Sequence, residues 1–152
     1  MPVAQHDITL HAPPDRVWAF IIALRYLPLW LSDVAAVQAI STSQTQAGTT
    51  FEIVRAGGRG MVEHWIVLDW EPPRSLRLTE YHADLHLRLR LEPTAGGTCL
   101  AAQLEWRQPR GLLQRLLPPT AQRRTLERSL HRLAELIDLN RDIRLLHGMG
   151  EE

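Results

Sequence analysis

The segment from Val34 to Arg107 constrains this chain most, because its apolar residues recur at every second position between closely spaced turn signals. The clearest run is "DLHLRLRLE": Leu85, Leu87, Leu89 and Leu91 fall on one side of an extended chain, and His86, Arg88, Arg90 and Glu92 on the other. The runs "VAAVQAI", "TTFEIVRA", "MVEHWIVLDW", "LRLTEYH" and "TCLAAQLEWR" also read as strands, separated by "STSQTQAG", "GGRG", "EPPRS" and "TAGG". Connections this short predict an antiparallel meander rather than crossover units, with one face buried and the other wet.

The flanks complete the pattern. Residues His6 to His11 alternate as a short first strand, and "APPDRVWAF" supplies a break and a helix start, with Pro13 and Pro14 at the opening and Asp15 in the first turn. Val17, Trp18, Phe20, Ile21 and Leu24 form an apolar stripe, and "RYLPLWL" reads as a second short helix. Beyond the strands, "GLLQRLL" reads as helical up to Pro118 and Pro119. Thr120 then offers an N-cap to a long helix whose Leu126, Leu130, Leu133 and Ile137 recur at four, three and four residues. Arg123, Arg124, Arg128 and Arg132 give it a solvated face. Such a helix needs an apolar surface to cover, and the leucine face of the meander is the large one available. The expected fold class is α+β: a curved antiparallel β-sheet wrapped around a long C-terminal helix, with two short helices after strand 1. One domain is expected over residues 1–147, with a short tail at 148–152.

Composition narrows the function classes. A chain of 152 residues fits one domain. Basic and acidic residues balance at 17 each, so no overall field draws the protein to nucleic acid or an anionic membrane. Lysine is absent and all 17 Lys/Arg positions are arginine, a bias that codon usage in a GC-rich genome explains better than anion recognition does. Cys99 stands alone, which excludes an intramolecular disulfide and a thiolate zinc site. The seven histidines show no metal-ligand spacing, "AGGRG" joins two strands instead of opening a helix, and no G-x-S-x-G elbow is present. Neither a metal nor a cofactor is expected. No apolar run is long enough for stable membrane insertion and no leader pattern opens the chain, so the cytoplasm is the default location.

Several stretches together resemble the START-like, or Bet v 1-like, superfamily of helix-grip proteins (SRPBCC), and within it the bacterial polyketide cyclase/dehydrase and lipid transport group. These are "APPDRVWAFI", "LPLWLSDVAAV", "AGTTFEI", "LDWEPPRSLRL" and "LERSLHRLAELI", in the family's order over roughly residues 5 to 140. The resemblance implies a deep cavity between sheet and helix, entered near the short helices and strand-connecting loops. It places Leu27, Leu29, Trp30 and Leu31 at part of the cavity mouth, although core packing accounts for that segment equally well. Leu27, Trp30 and Leu31, with the inward strand positions Phe51, Ile53, Ile66, Leu78, Leu87, Leu89 and Leu104 and with Leu126 and Leu130 of the helix, make up the expected ligand wall.

Strand phase then selects polar candidates. In "MVEHWIVLDW" the set Val62, His64, Ile66, Leu68 and Trp70 is the more apolar, which points His64 inward and leaves Trp65 to cover the outer surface. Arg55 shares a face with Phe51 and Ile53, and Glu80 with Leu76 and Leu78. Arg55, His64 and Glu80 are thus the candidate catalytic group, a histidine beside a carboxylate being suited to acid/base chemistry near neutral pH. The competing reading makes His64 a satisfied core histidine and lets Arg55 and Glu80 reach solvent at strand ends. Tyr81 and His82 are expected at a hairpin rim. The leading expectation is binding or transport of a hydrophobic small molecule, such as a lipid, quinone or polyketide-like aromatic, by a monomer or homodimer. A cyclase or dehydratase using His64 is the alternative, and an interaction module with a filled cavity the third.

Overall fold

The structure, a computed structural model, describes residues 3–57, 60–82, 84–107 and 119–150, with side-chain surroundings given except at 119–120 and 141–150. The expected helical stretch "GLLQRLL" lies outside the described residues. The first strand, β1 (Val3–Leu10), precedes α1 (Pro14–Ile22), a single 3₁₀ turn at Leu24–Tyr26, and α2 (Leu27–Trp30). Six strands follow: β2 (Val34–Gln38), β3 (Thr50–Arg55), β4 (Val62–Glu71), β5 (Ser75–Glu80), β6 (Leu85–Thr94) and β7 (Gly97–Trp106). The chain then forms α3 (Pro119–Gly150). Thr120 falls in the first turn, one residue past the helix start at Pro119, a position where the missing amide hydrogen would lack a partner anyway. At its other end α3 continues past His147 through the stretch where a tail is expected, as far as Gly150.

All strand pairings are antiparallel, in one seven-stranded sheet of order β1-β7-β6-β5-β4-β3-β2, which curls into a half-barrel around α3. The meander follows from the short connections, and β1 closes onto β7 from Val3 opposite Glu105 to Leu10 opposite Thr98. Leu126, Leu130, Leu133 and Ile137 of α3 are all buried, and so are Leu87, Leu89 and Leu91 of β6, so the two periodicities meet in one core. Two hydroxyls fasten the elements. Buried Thr98 donates from Oγ1 to the Ala12 carbonyl (2.7 Å), fixing the start of α1 on β7. Buried Ser129 of α3 accepts from the Ser32 amide (2.9 Å) and donates to the Thr125 carbonyl (2.9 Å), fixing the loop after α2 on the long helix.

The one strand whose phase reverses expectation is β4. Trp65 (3% exposed) and Val67 (0%) face the core, whereas His64 is exposed and Ile66 and Leu68 are half-buried on the outer face. The cause is a bulge at Asp69, which has φ 49° and coincides with a register shift between Leu68 and Glu71 against β5. The extra residue turns Trp70 back inward, where its ring meets Trp18 of α1 at 5.1 Å between centroids. Strict alternation from Trp70 therefore assigns every earlier β4 residue to the wrong face.

Gly97 opens β7 with φ 156°, and a Cβ there would overlap the carbonyl oxygen of Leu10. That oxygen is backbone of the paired β1 and cannot swing aside. Gly97→Ala is expected to lower stability by about 1–3 kcal/mol through overpacking at the β1/β7 junction, measured as a drop in the denaturant midpoint.

Candidate ligand cavity

Between the concave face of the sheet and the first turns of α3 lies a cavity of about 370 Å³. Its sheet wall is Ile53 of β3, Trp65 of β4, Leu78 of β5, Leu85 and Leu87 of β6, and Leu104 and Trp106 of β7. Leu126, Thr125, Ser129 and Gln122 of α3 face them, and Leu31, Ser32 and Asp33 close one side. These positions follow from cross-strand register: Leu78 lies opposite Leu87, and Leu87 opposite Leu104, so one apolar row crosses three strands. The cavity reaches the surface beside the exposed Arg107 and Asp33.

One corner is polar. Ile53 pairs with Glu63 across β3 and β4, and Arg55, two residues on, shares the inward face, so register places a guanidinium beside a carboxylate. Arg55 Nε donates to Glu63 Oε1 at 3.0 Å, and Trp65 Nε1 donates to the same oxygen at 3.1 Å. Arg55 and Glu63 are each 31% exposed, which keeps the pair in contact with both solvent and cavity. At the rim, Arg107 Nε lies 3.3 Å from Asp84 Oδ2. The other Asp84 oxygen is 2.9 Å from His86 Nε2, whose Nδ1 is 2.9 Å from Thr79 Oγ1, forming a chain on the outer face. Among the described residues no cluster of histidine, cysteine, aspartate and glutamate is arranged to hold a metal ion.

A profile described as polyketide cyclase / dehydrase and lipid transport matches residues 1–138. The chain belongs to that family. Solved structures with the same helix-grip fold include TTHA0849 from Thermus thermophilus (20% identity, 91% of this chain and 99% of that one, TM-score 0.72). Another is MLL2253 from Mesorhizobium loti (19% identity, 90% and 96%, TM-score 0.70). A third is the Aha1 dimer from Colwellia psychrerythraea (14% identity, 90% and 96%, TM-score 0.66). No curated protein matches the chain.

In this member of the polyketide cyclase/dehydrase and lipid transport family, the cavity is lined by Leu31, Ile53, Leu78, Leu87, Leu104 and Leu126 of the proposed ligand wall and by Arg55 of the proposed catalytic group. Leu27, Trp30, Phe51, Leu89 and Leu130 are fully buried but belong to the core around it and not to its lining. Leu29 is exposed. The reversed phase of β4 corrects two assignments: Ile66 sits on the outer face, and His64, with its side chain 49% exposed, lies 3.9 Å from Glu52 Oε2 there, outside the cavity. Glu80 does face inward and is buried, opposite Trp65 in register, yet it accepts the His82 amide at 2.8 Å and does not line the cavity. Arg55, His64 and Glu80 are therefore not brought together. Tyr81 and His82 are exposed, as expected of a rim.

The same correction supplies what sequence reading missed. Glu63 and Trp65, assigned outward by alternation, are lining residues, and Trp106 and Arg107 at the end of β7 join them. The signal lay across the strands: once Phe51 and Ile53 are inward, antiparallel pairing makes their opposite residues Trp65 and Glu63 inward too. Trp65→Ala is expected to cost about 3–5 kcal/mol as a buried aromatic truncation. His64→Ala should stay within about 0.5 kcal/mol as a surface change. Urea unfolding of the two variants checks the phase directly, and the reverse order would refute it.

Proposed function

We propose that this protein binds, and in that sense carries, a hydrophobic small molecule of the lipid, quinone or polyketide-like aromatic kind in the cavity beneath α3. The observation that carries the reading is the cavity itself: about 370 Å³, with a sheet wall of leucine, isoleucine and tryptophan, Arg55 and Glu63 at one corner, and Gln122, Thr125 and Ser129 of α3 among its other polar groups. Small-molecule sites combine this size range with an apolar wall and a few placed polar groups. Family membership supports the same class of role, since the family's description joins cyclases and dehydrases to lipid transport. Trp65 and Trp106 add flat apolar surface against which an aromatic ring or an acyl chain can lie.

The cyclase or dehydratase reading loses its histidine, because the exposed face of β4 holds His64. In the cavity, proton transfer would fall to Glu63, which already accepts two hydrogen bonds on one oxygen. A cavity filled by its own side chains, as an interaction module requires, does not fit a space of this volume.

Native mass spectrometry of the freshly purified protein, followed by solvent extraction, tests the binding reading, with a stoichiometric hydrophobic adduct as the expected result. An added ligand at one hundred times its Kd should stabilise the fold by about 2.7 kcal/mol, read as a rise in Tm. A bare mass together with no thermal shift from any lipid, quinone or polycyclic probe would overturn it.

A further inference from the structure

The hydrogen bonds at the polar corner are unevenly distributed. Glu63 Oε1 accepts from both Arg55 Nε and Trp65 Nε1, while among the described residues Glu63 Oε2 and the two terminal nitrogens of Arg55 have no protein partner. A bound molecule's polar end therefore meets an acceptor and donors side by side, at one edge of the cavity.

Charge narrows the choice further. The described lining residues carry Arg55 and Arg107 against Glu63 and Asp33. Arg55 is paired with Glu63 at 3.0 Å, and Arg107, itself 77% exposed at the rim, lies 3.3 Å from Asp84. An incoming carboxylate or phosphate would find no uncompensated cation among these residues, and it would be held beside the Glu63 carboxylate. Bringing an anion out of water to that position is unfavourable twice over, through desolvation and through like-charge repulsion. A neutral group with a hydrogen to give and an oxygen to receive meets neither obstacle. Its N–H or O–H donates to Glu63 Oε2, and its carbonyl or hydroxyl oxygen accepts from the Arg55 guanidinium.

We infer that Glu63 makes the cavity selective for amphipathic ligands whose head group is neutral and both donates and accepts hydrogen bonds, a primary amide or hydroxy-carbonyl head, and selective against free acids of the same chain. The inference rests on the binding reading above and sharpens it from hydrophobic ligand to head-group class.

Decanamide and decanoate share a chain and nearly a shape, and differ at pH 7 in charge and in the hydrogen the amide can donate. Titration calorimetry on the full chain is expected to give decanamide a Kd at least about tenfold lower than decanoate. Glu63→Gln, which keeps the side chain's size and removes its charge, is expected to reverse the order, because Arg55 is then free to pair with the acid. Equal affinities in the unaltered protein, or a preference for decanoate, would overturn the inference and leave cavity binding intact. So would a Glu63→Gln protein that folds and keeps the original order. Should Glu63→Gln fail to fold, the comparison in the unaltered protein decides alone. If neither compound binds, the inference is overturned, and the thermal shifts with lipid, quinone and polycyclic probes decide whether the binding reading falls with it.

Discussion

The mismatch between a curved sheet and a straight helix governs this molecule. Seven antiparallel strands with one apolar face must cover that face, and among the described residues the long element available is α3. The helix makes contact where its leucine stripe reaches β1 and α2, and there Leu130 and Leu133 are completely buried. A rod laid in a half-barrel cannot touch the whole inner surface. Near the first turns of α3 the concave face recedes from it, and side chains of β3 to β7 border space instead of helix. The cavity is thus a consequence of curvature, and the Ser32 amide held by Ser129 fixes how the helix lies over its edge.

Most of the architecture was legible because it depends on periodicity. The leucines of "DLHLRLRLE" could lie only on one face of a strand, and the spacing of Leu126, Leu130, Leu133 and Ile137 only on one stripe of a helix. The lining residues Ile53, Leu78, Leu87 and Leu104 follow from the same rule. What periodicity cannot deliver is depth. Phe51, Leu89 and Leu130 share an inward face with true lining residues and differ only in how closely other side chains press on them, a property of the packed whole.

The polar corner failed to emerge for a different reason. "MVEHWIVLDW" contains apolar residues in both phases, so the pattern alone was poorly determined, and the strand end at Trp70 tipped it toward the wrong answer. The residue responsible, Asp69, gives little warning in the sequence, although aspartate tolerates left-handed backbone better than most side chains. In the fold its carboxylate lies 2.9 Å from Arg77 Nε and 3.6 Å from Arg88 on the outer face, and Arg88 in turn lies 3.6 Å from Glu105. The outward side chain of the bulge is therefore held by a charge lattice spanning β4 to β7.

That bulge means β4 is read in two frames. Upstream of Asp69 the strand presents odd-numbered residues to the interior, and downstream it presents an even-numbered one, Trp70, to Trp18. The part of β4 that shapes the cavity and the part that seats the first helix are phased independently, with a single residue as the divider. A one-residue deletion at Asp69 removes that divider: Trp65 and Trp70 are then four positions apart, and plain alternation keeps both on the inner face. A one-residue deletion between Trp65 and Leu68 with the bulge kept would instead send one of the two tryptophans to the solvent face.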